Sequence, residues 1–223
     1  MRKIWQLDEQ LWFPPATEAL TDPNGLLAIG GDLSPERLLL AYRSGIFPWF
    51  SEGEPLLWWS PAPRMVLYPD ELRISKSLQK RLRNADFRVT FNQAFAEVIQ
   101  ACANTRAQTQ GTWITADMQA AYIQLHQLGH AHSVEVWQED QLVGGLYGVW
   151  VHPVFCGESM FARVSDASKV ALAHWVRYLH RQGVQMIDCQ VYTDHLARLG
   201  AREISRETFL AALPNQGTRT PPG

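Results

Sequence analysis

The sequence is poor in cysteine: Cys102, Cys156 and Cys189 are widely spaced and form no CxxC pair. An odd, scattered set argues against a disulfide framework and a cysteine-based zinc site, and points to a reduced, cytosolic protein. Long apolar runs are lacking as well. No stretch approaches the roughly 18 apolar residues of a membrane span. Met1-Arg2-Lys3-Ile4-Trp5-Gln6 leads into no apolar segment, so no signal or transit peptide is expected. An excess of one charge is missing: the formal net charge is −2. Any contact with nucleic acid must therefore come from a local patch. Glycine-rich phosphate loops are absent too, since neither Gly30-Gly31 nor Gly144-Gly145 fits a P-loop or a dinucleotide fingerprint.

What is present fits a globular protein with a substantial core. The chain has 223 residues, 46 % hydrophobic and 19 % charged, enough for one large domain with a smaller partner. Turn signals crowd the first 60 or so residues: Phe13-Pro14-Pro15, Asp22-Pro23-Asn24-Gly25 and Gly30-Gly31-Asp32. One helix is legible there. Ser34 caps it, Pro35 takes its first position, Leu38, Leu39 and Tyr42 form an apolar stripe, and Gly45 ends it. We read residues 1–62 as a small, loop-rich N-terminal domain, with the boundary at Pro61-Ala62-Pro63.

Residues 63–213 alternate between periods. Strands are predicted near Met65–Tyr68 and Phe87–Phe91, with helices from Ser75 and over Gln93–Thr105. Thr115 caps a helix carrying Met118, Tyr122 and Leu125, stopped by Gly129. His132–Trp137 and Leu142–Val151 form a hairpin about Glu139-Asp140, and Phe155–Phe161 supplies a third strand. Ser165 or Asp166 opens a long helix closed by Gly183. Met186–Tyr192 is β-rich, a short helix follows Ser205, and residues 214–223 are expected to be disordered. This is α+β order, with the hairpin, strand, helix, strand succession of a GNAT-type N-acyltransferase core. Order alone does not fix function.

Within Met186–Tyr192, strict alternation places Asp188 and Gln190 on one face and Ile187, Cys189 and Val191 on the other. An Asp and a Gln on a buried strand need partners, because unpaired burial costs roughly 1–3 kcal/mol. A structural hydrogen-bond network and a reactive site both satisfy that need.

The strings GIFPWF (45–50), WWSP (58–61), GTWIT (111–115), LGHAHSVEVW (128–137), LVGGLYGV (142–149), FCGESMF (155–161), ASK (167–169) and IDCQV (187–191) occur in this order. Together they resemble the leucyl/phenylalanyl-tRNA–protein transferase family, and the resemblance runs from about Leu11 to Glu203. Two local departures are Trp150-Val151-His152-Pro153, bulkier than the family pattern, and Arg198 in place of a small serine. The resemblance implies a small N-terminal domain and a GNAT-like catalytic domain that uses no acetyl-CoA. It implies transfer of Leu, Phe or sometimes Met from aminoacyl-tRNA to proteins beginning with Arg or Lys, creating a bacterial N-degron.

It also implies roles. Asp188, Gln190 and Glu158 would be catalytic, with Asp188 holding Gln190 and stabilising positive charge on the attacking nitrogen. Leu146, Phe155, Met160, Leu172, Trp175 and Ile187 would line the amino-acid pocket; without the resemblance they read as core. Trp49 and Trp113 would stack on the terminal adenosine of the tRNA. Lys76, Lys80 and Arg83 would meet its backbone. In that segment Arg73, Lys76, Lys80, Arg81, Arg83 and Arg88 face only Asp86, a one-signed run that otherwise reads as a solvated helix face.

Neither metal nor cofactor is expected. His126, His130 and His132 suggest zinc, but Gly129 breaks the helix between them and no further ligand motif completes a site. Two rival readings remain. An acyl-CoA-dependent N-acyltransferase would want a glycine-rich pyrophosphate loop at the long helix, and Met160–Lys169 has no glycine. A non-catalytic tRNA-binding protein would need no Asp188–Gln190 pair.

Overall fold

The computed structural model describes residues 3–83, 87–107 and 113–214. Asp86 of the cationic segment, Gly111 and Thr112 of the GTWIT string, and all of the expected tail after Pro214 lie outside the described residues.

The N-terminal unit is more regular than its turn signals suggest. β1 (Trp5–Leu7), β2 (Leu26–Gly30), β3 (Phe47–Pro48) and β4 (Leu57–Trp59) form a four-stranded sheet in the order β1-β2-β4-β3. Strands of two to five residues are too short to show alternation, and β2 reads Leu-Leu-Ala-Ile-Gly with no polar face. Between β2 and β3 lies α1 (Pro35–Arg43), where the Ser34 Oγ accepts the Arg37 amide at 3.4 Å.

The remainder is built on one seven-stranded sheet. Its strands are β5 (Arg64–Leu67), β6 (Arg88–Phe91), β7 (Ala131–Gln138), β8 (Gln141–Val151), β9 (Val154–Ala162), β10 (Met186–Gln190) and β11 (Arg202–Ile204), in the order β11-β5-β10-β9-β8-β7-β6. The helices are α2 (Lys76–Arg83), α3 (Phe95–Ala107), α4 (Ala116–Gln127), α5 (Ala167–Arg181), α6 (Asp194–Arg198) and α7 (Arg206–Ala212). From β6 to β9 neighbours run antiparallel; α5 then crosses over so that β10 joins β9 in parallel. The hairpin, strand, helix, strand order is present as expected. The short α6 and β11 carry too few residues to be read from periodicity. Asp166 precedes α5 as anticipated, but at φ 66° its side chain makes no cap bond and pairs with Lys169 at 2.9 Å.

Two apolar clusters sandwich the sheet. One, with Val136, Leu146, Phe155 and Ile187, lies under α5. There Gly144 lets helix and strand touch: a Cβ on it would sit 2.5 Å from the Ala167 Cβ. The other cluster joins Leu38, Tyr42, Ile46 and Trp58 of the N-terminal unit to Tyr122, Tyr147 and Phe209. The chain boundary at Pro61–Pro63 is thus crossed by a continuous core. Gly45, at φ 74°, marks one close approach, since a Cβ there would lie 2.5 Å from Leu210 Cδ2.

Two irregularities position the site. Opposite Tyr147 and Gly148, β9 offers Ser159 and Gly157, leaving Glu158 as an extra residue. Opposite Val66 and Met65, β10 offers Asp188 and Gln190, skipping Cys189. Parallel pairing of β9 with β10 runs from Met186–Val154 to Asp188–Cys156 and ends there. Both bulges lie just past that end, where the strands part.

Candidate active site

A cleft of about 810 Å³ opens where β9 and β10 separate. Its inner wall is apolar: Leu146, Phe155, Met160, Leu172, Trp175 and Ile187 all line it. Trp175 is fixed by a stacked Tyr178 at 5.1 Å and an edge-on Phe155 at 5.3 Å. Met160, half-buried, is the most adaptable of these side chains.

Trp49 and Trp113 stand in the same cleft. Trp49 is 49 % exposed, an unusual state for so large an apolar ring. Its backbone is nonetheless tied down. The Trp49 amide donates to Leu57 O at 3.0 Å, Trp59 Nε1 donates to Trp49 O at 2.7 Å, and the two indoles meet edge-on at 5.5 Å.

The polar centre comes from the bulges. Strict alternation would put Gln190 with Asp188, away from Ile187 and Cys189. Instead the bulge, with φ 66° at Gln190, turns that side chain into the cleft that Ile187 and Cys189 also line. Asp188 stays behind the strand, with no exposed surface. Its carboxylate takes a bidentate ion pair from Arg64, Nε to Oδ1 at 2.8 Å and Nη2 to Oδ2 at 2.7 Å. Oδ1 also accepts the Gln190 backbone amide at 2.9 Å. Asp188 thus holds the Gln190 backbone amide while both of its oxygens are engaged by Arg64 behind the strand.

Glu158 links the cleft to the core. Its Oε1 accepts Gln190 Nε2 at 3.0 Å and the Tyr42 hydroxyl at 2.7 Å. Tyr42 spends its one proton on Glu158, so it accepts from Tyr122, whose hydroxyl lies against it. Burial pushes the Glu158 carboxyl up to about 7; the nearby Asp188 charge adds to this, while Tyr42, Gln190 and Arg64 oppose it. Burial also raises both tyrosines well above their ordinary value, with the Glu158 charge adding to it, so they remain neutral donors.

Sequence reasoning missed Arg64, Tyr42 and Tyr122. Each left a faint signal: an arginine opening the buried run Met65-Val66-Leu67, and two tyrosines among the apolar stripes of α1 and α4. Lys76, Lys80 and Arg83 lie exposed on α2 and do not line the cleft, while Leu78 faces inward. Among the described residues, no group of three or more His, Cys, Asp and Glu is placed to hold a metal ion.

The model of the leucyl/phenylalanyl-tRNA protein transferase family matches residues 66–214, and that of its N-terminal domain matches residues 31–62. The chain belongs to this transferase family. A leucyl/phenylalanyl-tRNA–protein transferase of Chromobacterium violaceum is 62 % identical over 90 % of this chain and 86 % of its own. Those of Stutzerimonas stutzeri and Edwardsiella ictaluri are each 60 % identical, over 94 % and 98 % of this chain and 92 % and 90 % of theirs. A GCN5-related N-acetyltransferase from Kribbella flavida overlaps with a TM-score of 0.39 at 10 % identity, covering 74 % of this chain and 59 % of its own. That overlap is too loose to speak for fold or reaction. Among the described residues of the transferase, no helix is long and apolar enough to cross a membrane.

Proposed function

We propose that this enzyme transfers leucine or phenylalanine, and sometimes methionine, from aminoacyl-tRNA to the α-amino group of proteins beginning with Arg or Lys. It does so in the cytoplasm, and the product is an N-degron. The observation that carries this reading is the meeting of Gln190, anchored by Glu158, with an apolar pocket and two cleft-facing tryptophans. The pocket takes the unbranched start and apolar end of a Leu or Phe side chain. Trp49 and Trp113 offer flat faces to the terminal adenine, and Lys76, Lys80 and Arg83 of α2 offer cations to the tRNA backbone.

The reaction is aminolysis of an ester already activated by attachment to ribose. The amine nitrogen bonds to the carbonyl carbon, the bond from that carbon to the ribose oxygen breaks, and the nitrogen's surplus proton ends on the released hydroxyl. A free α-amine titrates near roughly 8, so a useful neutral fraction exists at neutral pH without a strong base. Ionised Glu158 only accepts hydrogen bonds, so it draws the NH₂ of Gln190 and leaves that amide's carbonyl oxygen to orient the incoming amine. The Glu158 charge also favours the cationic nitrogen of the first adduct. Positioning is the main contribution.

The test is transfer of labelled leucine from Leu-tRNA to a protein beginning with Arg, in EDTA and without ATP or CoA. Transfer to Arg- and Lys-starting acceptors but not to Ala-starting ones is expected. Activity lost in EDTA and restored by zinc would contradict the cofactor-free reading.

A further inference from the structure

Arg64 opens β5 and is 1 % exposed, yet it touches both halves of the site. Two of its nitrogens clamp Asp188, and the third, Nη1, donates to Gly45 O at 3.2 Å. The guanidinium lies 4.9 Å from the Phe47 ring and 4.4 Å from the Phe209 ring. Gly45 and Phe47 belong to the segment that continues into Pro48 and Trp49. Asp188 in turn holds the Gln190 amide, in a backbone conformation that is uncommon for a non-glycine residue.

We infer that Arg64 is a positioning residue for the transfer, tying the strand that presents Gln190 to the segment that presents Trp49. The inference rests on the proposed function, because it assigns those two side chains to the amine and the tRNA end. A planar fork is required for it. One ammonium cannot serve both carboxylate oxygens along two parallel bonds and also reach a carbonyl on a third side. Loss of the fork frees the Asp188 rotamer, and with it the turn at Gln190. The pocket and the α2 cations are untouched.

The experiment is single-turnover and steady-state transfer by Arg64→Lys, with thermal melts. The expected result is a kcat lower by on the order of a hundredfold, with KM for the acceptor near wild type and the fold retained. Arg64→Gln combined with Asp188→Asn removes both buried charges and replaces them by amides that can bond to each other. It serves where the lysine variant melts early, and the same loss of kcat is expected. The pH profile separates positioning from generalised damage. Arg64→Lys keeps the charge beside Glu158, so it leaves the acid limb in place while kcat falls. Tyr42, Tyr122, Cys156 and Asp188 are the other titratable groups around that carboxyl, and the lysine variant replaces none of them. Wild-type kcat in either folded variant overturns the inference. A wild-type protein that transfers nothing from Leu-tRNA overturns the functional reading beneath it.

Discussion

Gln190 and Tyr42 donate to the same oxygen of Glu158, at 3.0 and 2.7 Å, so one carboxylate carries the cleft amide on one side and the N-terminal unit on the other. In the proposed mechanism, only the ionised carboxylate fixes which end of the amide faces the substrate. With the Glu158 carboxyl at about 7, the single-turnover rate should climb as pH rises through that value. Glu158→Gln should lose this limb and retain the rise from deprotonation of the acceptor amine near roughly 8. A full set of rates against pH for both proteins checks it; an unchanged acid limb in the variant would remove Glu158 from the profile.

The same burial sets a stability trend of opposite sense. The native carboxyl holds its proton up to about 7, above its ordinary 4.5. Between those values the folded state binds more protons than the unfolded one, so stability falls as pH rises. The stabilisation is full below the ordinary value and lost through about 7, a change on the order of 3 kcal/mol. Glu158→Gln should therefore raise the melting temperature more at pH 8 than at pH 5. Equal gains at both pH values would show that the carboxyl titrates normally.

Gln190→Ala and Asp188→Asn should separate chemistry from support. Gln190→Ala removes a half-buried side chain and should cut the transfer rate with tRNA affinity and melting nearly unchanged. Asp188→Asn leaves the Arg64 charge buried without its ion pair and should cost about 3–5 kcal/mol of stability besides the rate. In combination the rate should drop little below the worse single variant, as for groups acting as one unit. Near wild-type single-turnover rates in folded single variants would return the pair to a purely structural role.

Trp49→Ala tests the stacking face. Since the ring is half exposed, its loss should leave the melt close to wild type and weaken aminoacyl-tRNA binding by about 1–3 kcal/mol. A collapse in melting temperature with affinity intact would assign the indole to packing against Trp59.

On α2, Lys76→Glu with Lys80→Glu should weaken tRNA binding without unfolding the helix, whose inward face is Leu78. The slope of log affinity against log salt should become shallower, because fewer counterions are displaced. An identical slope would remove the helix from the tRNA contact.

The elements legible in the sequence are those with strong local signals. The caps at Ser34 and Thr115 hold in hydrogen bonds to the Arg37 and Met118 amides. The β7–β8 hairpin follows from the strand read at His132–Trp137 and the turn at Glu139-Asp140. The six side chains expected to line the amino-acid pocket meet in one cleft, although by composition alone they are core residues. The N-terminal sheet was hidden by strands shorter than the alternation that would reveal them. The orientation of Gln190 was hidden by a bulge, which shifts the face without changing the residue pattern. The Arg64–Asp188 pair was hidden by distance, since 124 residues separate its members.

The core that runs from Leu38, Tyr42 and Ile46 into Tyr122 and Phe209 bears on how the chain can be divided. The expected boundary at Pro61–Pro63 falls within this core, so the two units are expected to unfold together. A fragment ending at that point would display the apolar side of α1 to water, and its counterpart would lose the Tyr42 hydroxyl from Glu158. Heat should melt both units in one transition. Grafting the first unit from a distant relative should succeed only when the facing side chains of α4 and α7 travel with it.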